Sequence, residues 1–443
     1  MRPPVRDYLL MLFITAAVTH LLTGPVRKFA ITIGAMPEIR ARDVHREPTP
    51  RLGGIAMFGG LLTGYLVASH LPHLEEIFTQ SSTPRALLSG ATIIWLLGVL
   101  DDKWELDSLV KLGGQVLAAG VMVFQGLTIL WLPVPGTDGF YLADWQGTLL
   151  TVGLILVTIN AVNFVDGLDG LSAGTVGIAA TAFFLYAYRL WYGYGIEAAA
   201  STTLISAILA GMCLGFLVHN SHPARIFMGD SGSMLLGLLI AGCAVSVTGE
   251  VDPSLFSQTV DGTAGSAAMV PVYIPLLLPL SVIALPIADL VLAVVRRTWN
   301  GKSPFAADKG HLHHRLLQLG HSHRRAVLLM YFWSALFSFG IVAFSARGAK
   351  SWILYGVTGV CALGLVLLLQ PRYETALAAR LGSLTPRWYR KGRAHLTPKD
   401  SDAERCAEAG AERPVPRPED DGAVTEAGVT YAGAGASPGT GAR

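Results

Sequence analysis

Five polar stretches hold most of the side chains able to do chemistry in this 443-residue chain. They are HREPTPRLGG (His45–Gly54), DDKWELD (Asp101–Asp107), NAVNFVDGLDG (Asn160–Gly170), NSHPARIFMGDSGS (Asn220–Ser233) and ADKGHLHHR (Ala307–Arg315). Asp101 and Asp102 directly follow the apolar run ATIIWLLGVL. Adjacent carboxylates repel, so either one keeps its proton or a cation holds both ionised. A hard divalent ion such as Mg²⁺, with Mn²⁺ as the substitute, takes oxygen ligands and bridges carboxylates to phosphates. The bland alternative is an acidic helix end balanced by Lys103.

Asn160, Asn163, Asp166 and Asp169 recur every third residue across the end of another apolar run, where neighbours lie close on a helix. Such a ladder suits a nucleotide or a metal-bound phosphate, or else a polar helix contact. GDSGS (Gly229–Ser233) has the look of a helix start, with Asp230 or Ser231 as N-cap or Asp230 as a metal ligand. His311, His313 and His314 sit between Lys309 and Arg315. Three imidazoles raise zinc, but no cysteine is near, and basic neighbours fit phosphate better. Asp289 and Arg296, two helical turns apart, read as a structural pair.

The elements that position these groups are membrane spans. Mean hydropathy is +0.48, and only 14% of residues are charged, against about 25% in soluble domains. Apolar blocks long enough to cross a bilayer occur near 8–22, 53–70, 86–100, 112–131, 147–163, 171–188, 198–218, 232–248, 268–295, 326–345 and 351–370. The first block, after Arg2 and Arg6, has a signal-peptide alternative, but the basic, motif-bearing loop behind it suits a retained helix. Cys213, Cys243 and Cys361 lie within apolar blocks and Cys406 in the tail, so no disulfide framework is expected.

Charge sets the orientation. The odd-numbered loops hold 16 Lys and Arg and the tail beyond residue 370 another 11, against 6 elsewhere. The positive-inside bias puts odd loops and tail in the cytoplasm and the N-terminus outside. All five polar stretches fall in odd loops, so they can form one site at the inner membrane surface. Residues 371–399 are basic and suit anionic headgroups. Residues 400–443, rich in Ala, Gly, Pro and Glu, cannot build a core. The expected organisation is a membrane domain over 1–370 and a cytoplasmic tail over 371–443.

Together the five stretches resemble the polyprenyl-phosphate N-acetylhexosamine-1-phosphate transferases, the family of WecA, TagO and MraY, across roughly residues 8–345. The resemblance implies an all-α integral membrane fold, a polytopic bundle of about eleven transmembrane helices with the active site on cytoplasmic loops. It implies that Asp101 and Asp102 serve the acceptor phosphate, its deprotonation or the metal, and that Asn163, Asp166 and Asp169 help bind the nucleotide. Asp230 matches the magnesium ligand. His311, His313 and His314 match the motif contacting donor phosphates, with Arg315 beside it, and Thr49 and Arg51 border the site. The MraY branch carries three consecutive histidines. His-Leu-His-His looks like the WecA/TagO branch, whose donor is UDP-GlcNAc.

The expected reaction passes GlcNAc-1-phosphate from UDP-GlcNAc to an undecaprenyl-like or decaprenyl-like phosphate and releases UMP. Direct attack by the acceptor and a covalent Asp adduct both remain open. The partners are then a UDP-sugar and a prenyl-phosphate lipid in the plasma membrane, with no nucleic acid and a homodimer left open. Rival readings are an intramembrane prenyltransferase, which would not need the histidine loop, and an ion-coupled transporter, which would place its polar groups at mid-membrane.

Overall fold

The computed structural model describes residues 4–36, 49–132, 140–193, 195–250 and 323–344. The chain divides into two units, Met1–Leu369 and Gln370–Arg443, and every described residue belongs to the first. Expected spans 268–295 and 351–370, the stretch around His311–Arg315, the Asp289–Arg296 pair and the tail lie outside the described residues.

The described chain is almost wholly helical. α1 (Val5–Thr32), α2 (Gly53–Ala68), the short α3 (Glu75–Gln80), α4 (Thr83–Trp104) and α5 (Ser108–Phe124) come first. A two-residue ribbon follows, β1 (Trp131–Leu132) antiparallel to β2 (Phe140–Tyr141), with Trp131 opposite Tyr141. Then come α6 (Asp144–Val165), α7 (Leu171–Tyr188) ending in a π-helical turn, α8 (Ala199–Asn220), α9 (Gly229–Glu250) and α10 (His323–Phe344). Seven of these helices are long and apolar enough to cross a bilayer, as a multi-pass membrane bundle requires.

Two boundaries differ from the sequence reading. The block expected at 8–22 is a helix of 28 residues that carries Pro25 inside it, so Arg27 and Lys28 ride on a helix rather than a loop. The block expected at 112–131 stops at Phe124. Gly126 takes φ +94 there, turning the chain toward β1. A left-handed residue ends a helix, and glycine adopts it without strain.

α9 is the axis of the bundle, buried along its bilayer-length stretch beyond the half-buried Asp230 and packed on α2, α4, α6 and α8. Between helices in lipid there is no hydrophobic driving force, so close backbone approach and hydrogen bonds hold such a bundle. Glycines permit that approach where α4 meets α9: a methyl group at Gly98 would lie 2.3 Å from the Ser231 backbone. One turn beyond Gly98, α4 therefore delivers its last carboxylates against the start of α9. The ends of α1, α4, α6 and α8 and the starts of α2, α5, α7, α9 and α10 gather at this face. The bonds that tie them include Lys103 Nζ to Ile33 O at 2.7 Å, Gly53 N to Phe227 O at 3.0 Å and Arg27 Nε to Arg225 O at 2.9 Å.

Candidate active site

Two carboxylates from distant helices share one cation. Lys111, in the first turn of α5, places Nζ 2.6 Å from Asp101 Oδ2 and 3.0 Å from Asp230 Oδ2. Its helix starts there because Asp107 caps it, accepting a hydrogen bond from Leu109 N at 2.8 Å. Asp101 is held from the other side by Leu106 N, which donates to Oδ1 at 2.8 Å as α4 unwinds at Glu105. Asn163 donates from Nδ2 to Asp230 Oδ1 at 3.0 Å and to Ser233 Oγ at 2.9 Å. One turn earlier, Asn160 donates to Gln115 Oε1 at 2.7 Å, tying α6 to the face of α5 that carries Lys111.

Asp166, the residue after α6, lies within the field of this cluster. Loss of hydration pushes its carboxyl up to about 8, and the charges of Asp230 and Asp102 add to the rise. Arg51 is near enough to pull the other way. The segment around Thr49 and Arg51 reaches the site because it pairs along the strand-like run before Gly229. Phe227 N donates to Pro50 O at 2.9 Å, and Gly54 N donates to Met228 O at 2.9 Å.

Asp102 points elsewhere than its neighbour. The sequence reading gives it a metal or base role, but its oxygens face the first turn of α9. Asp230 N donates to Oδ1 at 2.7 Å, and Ser231 donates to Oδ2 from N at 3.1 Å and from Oγ at 2.6 Å.

Asp169 also leaves the expected ladder. Its Oδ2 accepts from His222 Nδ1 at 2.7 Å and from Ala224 N at 3.1 Å, while its own N donates to His323 Nε2 at 3.1 Å. Next to it, Gly170 N donates to Asn220 Oδ1 at 3.0 Å, and Tyr331 of α10 donates its hydroxyl to Gly170 O. Asp169, His222 and His323 bring three potential ligand atoms within 4.8 Å. Their arrangement does not suit a metal. The two rings are stacked, 4.3 Å apart and tilted by only 18°, so their in-plane lone pairs run side by side rather than converging. His323 Nε2 already spends its lone pair on an N–H. The trio is a clasp joining the α6–α7 turn, the α8–α9 loop and α10.

Of the residues expected from sequence, the fold gathers Asp101, Asn163, Asp166 and Asp230 around one point, with Arg51 at its edge. Asp169 lies in the clasp, and His311, His313, His314 and Arg315 lie outside the described residues. The sequence reading passed over Lys111, Gln115, His222 and His323. Lys111 had a signal: a cation in the first turn of a helix opposes the helix dipole and calls for a carboxylate partner.

The family model for glycosyl transferase family 4 matches residues 85–248, the stretch that holds Asp101, Lys111, Asn163 and Asp230. The chain is 42% identical over 373 residues to the decaprenyl-phosphate N-acetylglucosaminephosphotransferase of Mycobacterium tuberculosis, covering 83% of this chain and 90% of that protein. It is 35% identical to the probable undecaprenyl-phosphate N-acetylglucosaminyl 1-phosphate transferase of Bacillus subtilis, over 77% of this chain and 86% of that one. Against the undecaprenyl-phosphate alpha-N-acetylglucosaminyl 1-phosphate transferase of Escherichia coli K12 the identity is 27%, over 74% and 82%.

Proposed function

The chain belongs to the polyprenyl-phosphate N-acetylhexosamine-1-phosphate transferases, and from that premise we propose that it moves GlcNAc-1-phosphate from UDP-GlcNAc to a prenyl phosphate. Decaprenyl phosphate is the first acceptor to try, since the mycobacterial relatives are named for it. The site faces the cytoplasm at the plasma membrane, in line with the basic odd loops, and the product starts an envelope polysaccharide.

The observation that carries this reading is the convergence of Asp101 and Asp230 on a single cation. Two hard carboxylate oxygens directed at one point fit Mg²⁺, and Asp101 and Asp230 are the residues that would hold it. When bound, the ion supplies charge neutralisation for the donor pyrophosphate. Phosphoryl transfer between two anions is mostly positioning and charge stabilisation. Lys111 holds that place with its own positive charge in the absence of the ion, and Asn163 fixes the side chain of Asp230. Arg51 adds positive charge near Asp166.

An oxygen of the acceptor phosphate attacks the sugar-proximal phosphorus. The bond from that phosphorus to the bridging oxygen breaks, and UMP leaves with the electron pair. Asp102 accepts three hydrogen bonds from α9, and Asp101 accepts one from Leu106 N beside its ion pair with Lys111, which blunts both as nucleophiles and supports direct attack over an Asp adduct. The test is UMP release by the purified protein given UDP-GlcNAc, decaprenyl phosphate and Mg²⁺. No UMP under any divalent ion, with either prenyl phosphate, defeats the reading.

A further inference from the structure

We propose that Asp102 is a positioning residue: its carboxylate caps α9 from another helix and thereby sets where Asp230 stands. The first N–H groups of a helix have no partner within it. In α9 two of these, from Asp230 and Ser231, donate to Asp102, and the Ser231 hydroxyl adds a third bond at 2.6 Å. An anion at a helix N-terminus is also favoured by the dipole. The fit is tight, since a methyl group at Gly229, which takes φ +71, would lie 2.3 Å from Asp102 Oδ2.

The two adjacent aspartates thus divide their work. Asp101 turns to Lys111 and the side chain of Asp230, while Asp102 holds the Asp230 backbone. All three hydrogen bonds to Asp102 come from the first turn of α9, so its carboxylate is turned to that helix while Asp101 is turned to Lys111. The assignment extends the transferase reading, which it needs only for its turnover arm.

The experiment uses the full chain in nanodiscs and two readouts. Hydrogen exchange over residues 229–233 is expected to speed up about tenfold or more in Asp102→Ala, the scale of one lost charge-assisted bond. Asp102→Asn keeps one acceptor oxygen for Asp230 N, and the Ser231 hydroxyl can rotate to accept from the new amide, while Ser231 N loses its acceptor. It is expected to keep kcat within about tenfold of wild type at unchanged donor KM, as a half-preserved cap allows. Ser231→Ala in the Asp102→Asn background is expected to cost less than it does alone, because both act through the same bonds.

Unchanged exchange in Asp102→Ala overturns the assignment. So does Asp102→Asn falling to the background of Asp230→Asn. If Asp102→Ala does not insert, exchange is read from Asp102→Asn with Ser231→Ala, where no acceleration overturns the assignment equally. Accelerated exchange in a protein whose wild type releases no UMP leaves the cap standing and removes the transferase reading instead.

Discussion

Two carboxylate centres lie at the same end of this bundle and are built on opposite terms. Around Lys111, Asp101 and Asp230 share one cation and crowd Asp102 and Asp166 into the same field. Around Asp169, one carboxylate meets a ring N–H and a backbone N–H, and the surrounding turns are tied to α10. The first centre concentrates negative charge and would gain from another cation. The second draws donors to Asp169 Oδ2 from the α8–α9 loop. The difference teaches how to sort acidic residues at a site: carboxylates crowded around one shared cation are placed for ligands, and a lone carboxylate that ties loops together is placed for architecture.

Breaking the first centre should show in turnover. Asp230→Asn is expected to cut UMP release by roughly 10²–10³-fold, the scale of removing one preorganised electrostatic group, with a melting temperature close to wild type. Breaking the second should show in stability. Asp169→Ala strands the ring and backbone donors it now satisfies and is expected to cost about 2–3 kcal/mol, read as a lower melting temperature in detergent. Near-normal melting of Asp169→Ala combined with abolished turnover would contradict the division.

Lys111→Met sharpens the contrast. It leaves two carboxylates facing each other without their cation. The metal-free protein should lose roughly 1 kcal/mol, since the site is partly open and screened, and Mg²⁺ should restore more stability to the variant than it adds to wild type. Equal Mg²⁺ shifts in thermal melts would show that the lysine and the ion do not share a place.

Asp166 offers a pH test. Its carboxyl stands near 8 in the fold against an ordinary 3.8, so the fold binds its proton more tightly than the unfolded chain does. Its contribution to stability is full in acid and lost as pH rises toward about 8. Wild type should therefore lose ground to Asp166→Asn across that range and hold a constant gap above it. Parallel melting curves across the range would count against the crowded-charge picture. The smallest effect belongs to the start of α5, where Asp107→Ala should remove about 1 kcal/mol of cap energy and only modestly displace Lys111.

Among the described residues the apolar helices and four of the cluster's polar residues are legible in the sequence, because hydropathy and strings of acidic residues are local signals. Side-chain direction was not local. Asp101 and Asp102 are indistinguishable as a dipeptide, yet a helix turns adjacent residues by about 100°, so one meets α5 and the other α9. The ladder from Asn160 to Asp169 crosses the end of a helix, and its every-third spacing groups the four side chains in sequence. The helix ends at Val165, which sends Asp169 to the clasp. His222 and His323 were hidden because their partnership exists only once α10 docks beside the α6–α7 turn.

α2 and α5 have a consequence for the surrounding lipid. With 16 and 17 residues, they extend about 24 and 26 Å at 1.5 Å per residue, against a hydrocarbon layer of about 30 Å. Both start at the face that carries Lys111. A leaflet accommodates short helices by thinning, at a modest energetic penalty per ångström. The local dip would lower headgroups toward the carboxylates, so a phosphate tethered to a very long isoprenoid could reach them without drawing its tail out of the oil.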